Sequence, residues 1–270
     1  MTNQIITQLN PDVPPTGSDL GIVNAARKSF GRRSEWLYEY KETRSRTLKD
    51  KDKRLLEFLA RGMAAADFDG FIVKVNNDSH DWTSCGDQVF KDQLIEKLWE
   101  WRNTPTHDTP FNHGFFSFEV KAPVFVARHL VKHEYLIMSE YSRRYITDDV
   151  EFYRHTYRSK AEDVKQGSGG LHHNAKDWSW EVDSINHTVM NVYNRMIADG
   201  VAPEQARGNL PQDLMTSWTW SGTLGAFANM CKLRLSSDTQ AETRVVAQAV
   251  YEELKKQFPV AAPLLVEGVI

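Results

Sequence analysis

The stretch FFSFEVKAPVFVARHL (115–130) changes its hydrophobic period at a proline. Phe116, Phe118 and Val120 alternate with Ser117, Glu119 and Lys121, the period of two of a strand buried on one face. Pro123 then suits the first turn of a helix. Beyond it Val124, Phe125, Ala127, His129 and Leu130 run on a helix towards Lys132 and His133. A strand feeding a helix at the centre of the chain sets an α+β reading.

The rest of the sequence adds mostly helices. SRTLKDKDKRLLEFLARGM (45–63) places Leu48, Leu55, Leu56, Leu59 and Met63 on one face, with Thr47 as N-cap. A short strand around Phe71, Val73 and Val75 and a helix over GDQVFKDQLIEKLWEWRN follow. Residues 151–178 are polar, with KQGSGGLHHNAKD as the clearest loop. WSWEVDSINHTVMNVYNRMIADG carries Val182, Ile185, Val189, Val192, Tyr193 and Met196 at helical spacing and closes at Gly200. Two more helices are predicted over about 222–233 and 238–257. The fold class is α+β, helix-rich with a small antiparallel sheet. Residues 1–20 read as a partly ordered lead-in and 21–270 as a single domain.

At 41% apolar, a chain of 270 residues holds a sizeable core. A net charge of −3 makes no global case for nucleic acid, and no apolar run reaches the roughly 18 residues of a membrane span. Cys85 and Cys231 lie far apart and in no metal spacing, which fits a reducing cytoplasm. The N-terminus lacks a basic start followed by an apolar core, so no signal peptide is expected.

Local chemistry is more informative. EYLIMSEYSRRYI (134–146) begins apolar and ends in carboxylate, hydroxyl and guanidinium groups. That suits either a solvated helix end or a site for a phosphorylated, ring-bearing ligand. Arg128, Arg143, Arg144, Arg207 and Arg234 are candidate anion ligands, because a guanidinium grips phosphate through two parallel hydrogen bonds. His113, His129 and His133 include one i,i+4 pair but no His-Glu-x-x-His pattern, and adjacent His172 and His173 rarely share an ion, so no metal is expected. Cys231, between Met230 and Lys232 and near Leu233, reads as a core thiol. Trp178, Trp180, Trp218 and Trp220 have the choice of stacking bases or filling the core, and periodicity favours the core.

The segment TPFNHGFFSFEVKAPVFVARHLVKHEYLIMSEYSRRY (109–145) resembles the signature of the flavin-dependent thymidylate synthases, which runs Thr/Ser-Pro-Phe-Glu-His, then Ala-Arg-Gln-Trp-x-Arg-His-Arg, then Asn-Glu-x-Ser-x-Arg-Tyr. NAARKSFG (24–31), GVAPEQARGNLP (200–211) and GAFANMCKLRLSSDTQAETR (225–244) extend the resemblance in order, leaving an insertion over about 68–102. The resemblance implies reductive methylation of dUMP at C5 to dTMP, with methylenetetrahydrofolate as carbon donor, FAD as redox cofactor and NADPH as a candidate hydride source. It further implies a homotetramer with shared active sites, in the cytoplasm, or in a host cytoplasm for a phage protein. Neither nucleic acid nor a membrane is an expected partner.

Carried over residue by residue, the resemblance assigns the nucleotide to His129, Glu140, Ser142, Arg143, Arg144, Arg207 and Arg234, with Arg234 also the catalytic group beside the base. It assigns the flavin to Ser29, Thr109, Lys132, His133, Glu134, Asn229 and Asp238. The flavin side departs from the family pattern. Arg-His-Arg reads Lys132-His133-Glu134, a family Asn and Arg read Thr223 and Gly225, and a family His reads Asp238. A carboxylate beside a pyrophosphate is unfavourable, whereas near a base edge it accepts from an exocyclic amine. Glu134 or Asp238 therefore offers a route to dCMP as substrate, giving 5-methyl- or 5-hydroxymethyl-dCMP. A non-catalytic nucleotide-binding paralogue is the third reading.

Overall fold

In a computed structural model, the structure describes residues 4–38, 46–61, 63, 107–161 and 167–268. The strand and helix expected between 71 and 103, the insertion over 68–102 and Cys85 lie outside the described residues. Along the chain the elements are β1 (Ile6–Leu9), α1 (Asp19–Arg27), β2 (Leu37–Tyr38), β3 (Arg46–Thr47), α2 (Asp50–Ala60), β4 (Phe115–Pro123), α3 (Val124–Leu130), β5 (Leu136–Glu140), β6 (Arg158–Lys160), β7 (Ser168–Leu171), α4 (Ala175–Ala198), α5 (Pro203–Ala206), β8 (Met215–Thr223), α6 (Leu224–Arg234), α7 (Ala241–Gln257) and α8 (Ala261–Val266). They divide into two compact units, one of residues 1–14, 116–222 and 233–250, the other of 15–115, 223–232 and 251–270.

The first unit is built on a four-stranded sheet in the order β1-β4-β8-β5. β1 pairs antiparallel with β4, and β5 with β8. The side-chain bonds Ser221 to Ser117 and Thr219 to Glu119 advance in opposite directions along β8 and β4, so this pair is antiparallel too. Within the stretch expected as a lead-in, Ile6–Leu9 is thus an edge strand. β4 buries Phe116, Phe118 and Val120 as its alternation requires, and Ser117 is buried as well. A buried hydroxyl needs partners, and Ser117 has them in Ser221 Oγ at 2.9 Å and Asn10 Nδ2 at 3.3 Å. Pro123 ends the strand and caps α3 instead of entering its first turn. β8 was not anticipated. Its Trp218 and Trp220 are 1% exposed and meet edge to face, which makes them core residues. Gly222 faces Leu136 across the β5–β8 pair, and a Cβ there would collide with the leucine side chain.

Two further expectations change. Part of the expected loop forms β7, which pairs with β6 as a two-stranded ribbon. α4 forms over Ala175–Ala198 and ends at Gly200 with φ 85°, but its apolar stripe is only partly covered: Tyr193 is fully buried whereas Ile185 is 58% exposed, and Trp180, expected in the core, is 75% exposed. The helix also buries Asn186, whose amide donates to Asp213 Oδ2 at 2.9 Å.

The second unit is mostly helical. Ser18 Oγ caps α1 by accepting from Gly21 N–H. Buried Asp19 accepts from the amides of Val260 and Ala261 at the start of α8. α2 begins at Asp50 after Lys49, because Thr47 is engaged in the β2–β3 ribbon. Asp52, fully buried in its first turn, is held by Arg27 at 2.6 Å and by Ser34. Among the described residues no helix is long and apolar enough to cross a membrane.

Candidate functional site

The first unit contains a cavity of about 640 Å³. Its wall is assembled from short-range necessities of the sheet. The amides of Val124 and Phe125, at the start of α3, donate to the carbonyls of Leu214 and Gln212. The Tyr141 amide donates to the Ser217 carbonyl, continuing the β5–β8 pairing past the end of β5. These bonds bring the α3 face (Val124, Ala127, Arg128, Val131) opposite Met138–Arg143 and the 207–216 segment. The lining includes apolar side chains, Val124, Met138, Leu210 and Leu214, together with the polar and charged Arg128, Arg143, Arg207, Ser142, Gln212 and Thr216.

The lining holds three guanidinium groups and one carboxylate, Glu140, a net of +2. Glu140 accepts from Thr216 Oγ1 at 2.8 Å. Arg128 and Arg207 have no carboxylate within salt-bridge distance among the described residues, so both retain their donors. Arg143 is 8% exposed, lies over the Tyr141 ring and donates to the carbonyls of Asp148 and Asp149, while its Nε has no partner. These carbonyls orient the guanidinium without pairing it with an opposite charge. The arrangement is complementary to a ligand with an anionic end and a flat, partly apolar body.

Not every residue assigned to the nucleotide lines this cavity. Glu140, Ser142, Arg143 and Arg207 do; Arg144, His129 and Arg234 do not. Arg144 is half-exposed and pairs at 3.5 Å with Glu204, three residues before Arg207 on α5. Arg234, at the end of α6, is bracketed by histidines: Nε donates to His133 Nε2 at 2.8 Å and Nη1 to His129 Nε2 at 2.7 Å. Burial, then the Arg234 charge, then His129 pull His133 down to about 4, and burial and Arg234 lower His129 as well. A guanidinium wedged between these rings leaves no place for the metal ion that a His-x-x-x-His pair otherwise suggests.

The positions assigned to the flavin are scattered. Ser29, Thr109 and Asn229 belong to the second unit and are exposed, with Ser29 Oγ bonded to the Ala26 carbonyl. Lys132, Glu134 and Asp238 belong to the first unit and are exposed too; His133 alone is part-buried. Asp238 accepts from Ser236 Oγ. Neither Glu134 nor Asp238 lines the cavity, so neither is placed to read a base edge there. In the second unit, Thr223 Oγ1 donates to Asn112 Oδ1 at 2.7 Å and accepts from the Ala226 amide, while a Cβ on Gly225 would lie 2.8 Å from that same Asn112 oxygen. Asn112 thus occupies the space that a side chain at position 225 would need. Cys231 is fully buried, and burial pushes its thiol pKa up, which keeps it from acting as a nucleophile.

Sequence reasoning missed Thr216, Gln212 and Tyr141 in the lining. The signal for Thr216 was present in the Thr-x-Trp-x-Trp alternation of β8, whose register places Thr216 beside the end of β5.

Fold and cavity together define an α+β protein with a cationic recess beside a small antiparallel sheet. The family model described as "Thymidylate synthase complementing protein" matches residues 14–260, and the chain belongs to that family. It is 34% identical over 156 residues to a flavin-dependent thymidylate synthase of Thermus thermophilus, covering 57% of each chain. It is 35% identical over 168 residues to one of Wolbachia pipientis, covering 60% of this chain and 58% of the other. The match therefore spans little more than half the length of these curated relatives. Two solved structures of a UMP/dUMP methylase, PolB from Streptomyces cacaoi, share the fold. The one bound with 5-Br dUMP has a TM-score of 0.65 at 22% identity over 97% of this chain and 94% of that one. The one bound with 5-Br UMP has a TM-score of 0.68 at 20% identity over 98% and 96%.

Proposed function

We propose that the chain methylates dUMP at C5, giving dTMP, with methylenetetrahydrofolate as one-carbon donor and a reduced flavin. The observation that carries this reading is the cavity whose lining holds Arg128, Arg143 and Arg207 against the single carboxylate of Glu140, on the frame of this family. The arginines and Ser142 hold the phosphate. The apolar side chains of the lining offer a surface for the ring. C5 of a pyrimidine is a weak nucleophile, so much of the rate comes from positioning it against the electrophilic methylene. Arg234 lies outside this cavity's lining, and its place beside the base rests on the family resemblance alone; there a guanidinium stabilises negative charge developing on the ring. Cys231 takes no part as a nucleophile.

Reduced flavin, when bound, supplies the hydride that converts the transferred carbon to a methyl group. Ser29, Thr109, Lys132 and Asn229 present hydroxyl, ammonium and amide donors suited to its polar groups, and His133 lies next to Lys132. NADPH as the source of reducing equivalents and a homotetramer as the working assembly belong to the same proposal. The relatives named as flavin-dependent enzymes support the flavin. The exposure of Glu134 and Asp238, away from the cavity lining, favours dUMP over dCMP.

The test uses purified protein with methylenetetrahydrofolate, FAD, NADPH and nucleotide tritiated at C5. Tritium release from dUMP with formation of dTMP is the expected result. Release from dCMP alone, or binding without release from either, overturns the assignment.

A further inference from the structure

The Arg234 cluster shows how a charge is oriented without being neutralised. A guanidinium donates and never accepts. Arg234 Nε and Nη1 both point at imidazole Nε2 atoms, at 2.8 Å on His133 and 2.7 Å on His129. Each Nε2 must therefore offer its lone pair, so each ring is neutral with its proton on Nδ1. For His129 that proton has a destination: Nδ1 lies 3.0 Å from Thr243 Oγ1, and Thr243 is fully buried. The next link is rigid. Glu242, beside Thr243 in the first turn of α7, accepts from Arg158 Nη2 on both carboxylate oxygens at 2.7 and 2.8 Å, and Arg158 Nε donates to Ser168 Oγ at 2.6 Å.

We infer that Thr243, His129 and His133 are positioning residues for Arg234, the first fixing the His129 tautomer and the two rings fixing the guanidinium. A carboxylate in either place would orient Arg234 equally well but would cancel its charge. Neutral acceptors leave that charge for a ligand. Three of the five N–H groups are committed, the third to the His129 carbonyl at 3.4 Å, and two remain for a partner. The inference rests on the reading of Arg234 as a ligand of the pyrimidine, and it gives His129 and His133 a role that acts through that residue.

Two measurements test it. In protein labelled with 15N-histidine and free of ligand, ring nitrogen shifts report the tautomer directly. Both His129 and His133 are expected as Nδ1–H at neutral pH, and an Nε2–H form at either ring overturns the proposal. Calorimetric titration with dUMP supplies the second arm. His129→Leu is expected to weaken binding about 10- to 100-fold and Thr243→Val about 3- to 10-fold, while His129→Gln, whose amide oxygen restores an acceptor, recovers most of the leucine loss. Equal affinities for His129→Leu and His129→Gln overturn the positioning role. Failure of the parent protein to bind dUMP overturns the proposed function instead, a result that the tautomer measurement leaves distinguishable.

Discussion

The residues assigned to the nucleotide and those assigned to the flavin came from one family resemblance, yet four of the first group share a cavity lining that holds none of the second. Glu140, Ser142, Arg143 and Arg207 converge on one recess because each sits at or near the end of a hydrogen-bonded element of a single compact unit. Ser29, Thr109, Lys132, Glu134, Asn229 and Asp238 are exposed, and no cavity lining described here gathers them. Backbone pairing thus delivers the first group together within one chain. The second group is exposed, and an exposed polar side chain contributes to a site only when a ligand or another surface completes its surroundings. This difference predicts that substitutions in the first region act strongly on the nucleotide, and that those in the second act weakly and mainly on the flavin.

The largest effect is expected at Arg207, which keeps all its donors because no carboxylate pairs with it among the described residues. Arg207→Ala is expected to weaken dUMP binding about 30- to 100-fold in a calorimetric titration, the scale of a charge-assisted bidentate contact. A loss under threefold would remove the cavity from the nucleotide assignment. His133, the one part-buried member of the flavin group, gives the next test. Its folded pKa, about 4, lies below the ordinary 6.5. Between those values the unfolded chain binds a proton that the folded chain refuses, so stability rises with pH through this window. The melting temperature of the parent is expected to fall from pH 7 to pH 4.5 more than that of His133→Gln, and parallel curves would refute the link. Smaller still, and opposite in sign to the arginine substitution, Glu140→Gln raises the net lining charge. It is expected to tighten binding of bare inorganic phosphate about threefold, a change measurable as stronger phosphate competition against dUMP.

The same contrast explains what was legible in the sequence. β4 was readable because Phe116, Phe118 and Val120 bury one face at a period of two. β8 has the same period, but its apolar positions are two tryptophans set among threonine, serine and glycine, and they read as an aromatic cluster instead of a strand. Gln212 was therefore invisible as a site residue, and the alternation that holds Thr216 did not by itself place it in the site: both positions depend on the β5–β8 register, which no local pattern encodes. α4 was correctly read as a helix, and Tyr193 of its apolar stripe is buried, but Ile185 and Val192 of the same stripe are exposed. Periodicity marks which residues share a face and leaves open what covers it, and the face this chain buries is centred on Asn186 and Tyr193. The arginines were legible as residue types and through the resemblance. That Arg234 would meet two neutral imidazoles, one anchored by Thr243, follows from contacts about one hundred residues apart in sequence.

The smallest predicted effect bears most directly on the flavin side. Asp238 is exposed, and its carboxylate is engaged only by Ser236 Oγ among the described contacts. If it faces a flavin pyrophosphate, it opposes binding through solvent, where one pair of like charges is worth under about 1 kcal/mol. Asp238→His removes that repulsion and adds a donor. The expected gain in FAD affinity is about threefold at low ionic strength, shrinking as salt shortens the screening length below about 10 Å. Quenching of flavin fluorescence on titration with protein measures this without turnover. Asp238→Ala separates the two contributions, since it removes the repulsion and supplies no donor. A gain shared by both variants and lost in salt places the carboxylate near the phosphate. Unchanged affinity in both would take Asp238 out of the flavin site and leave the contrast between the two regions resting on the nucleotide cavity.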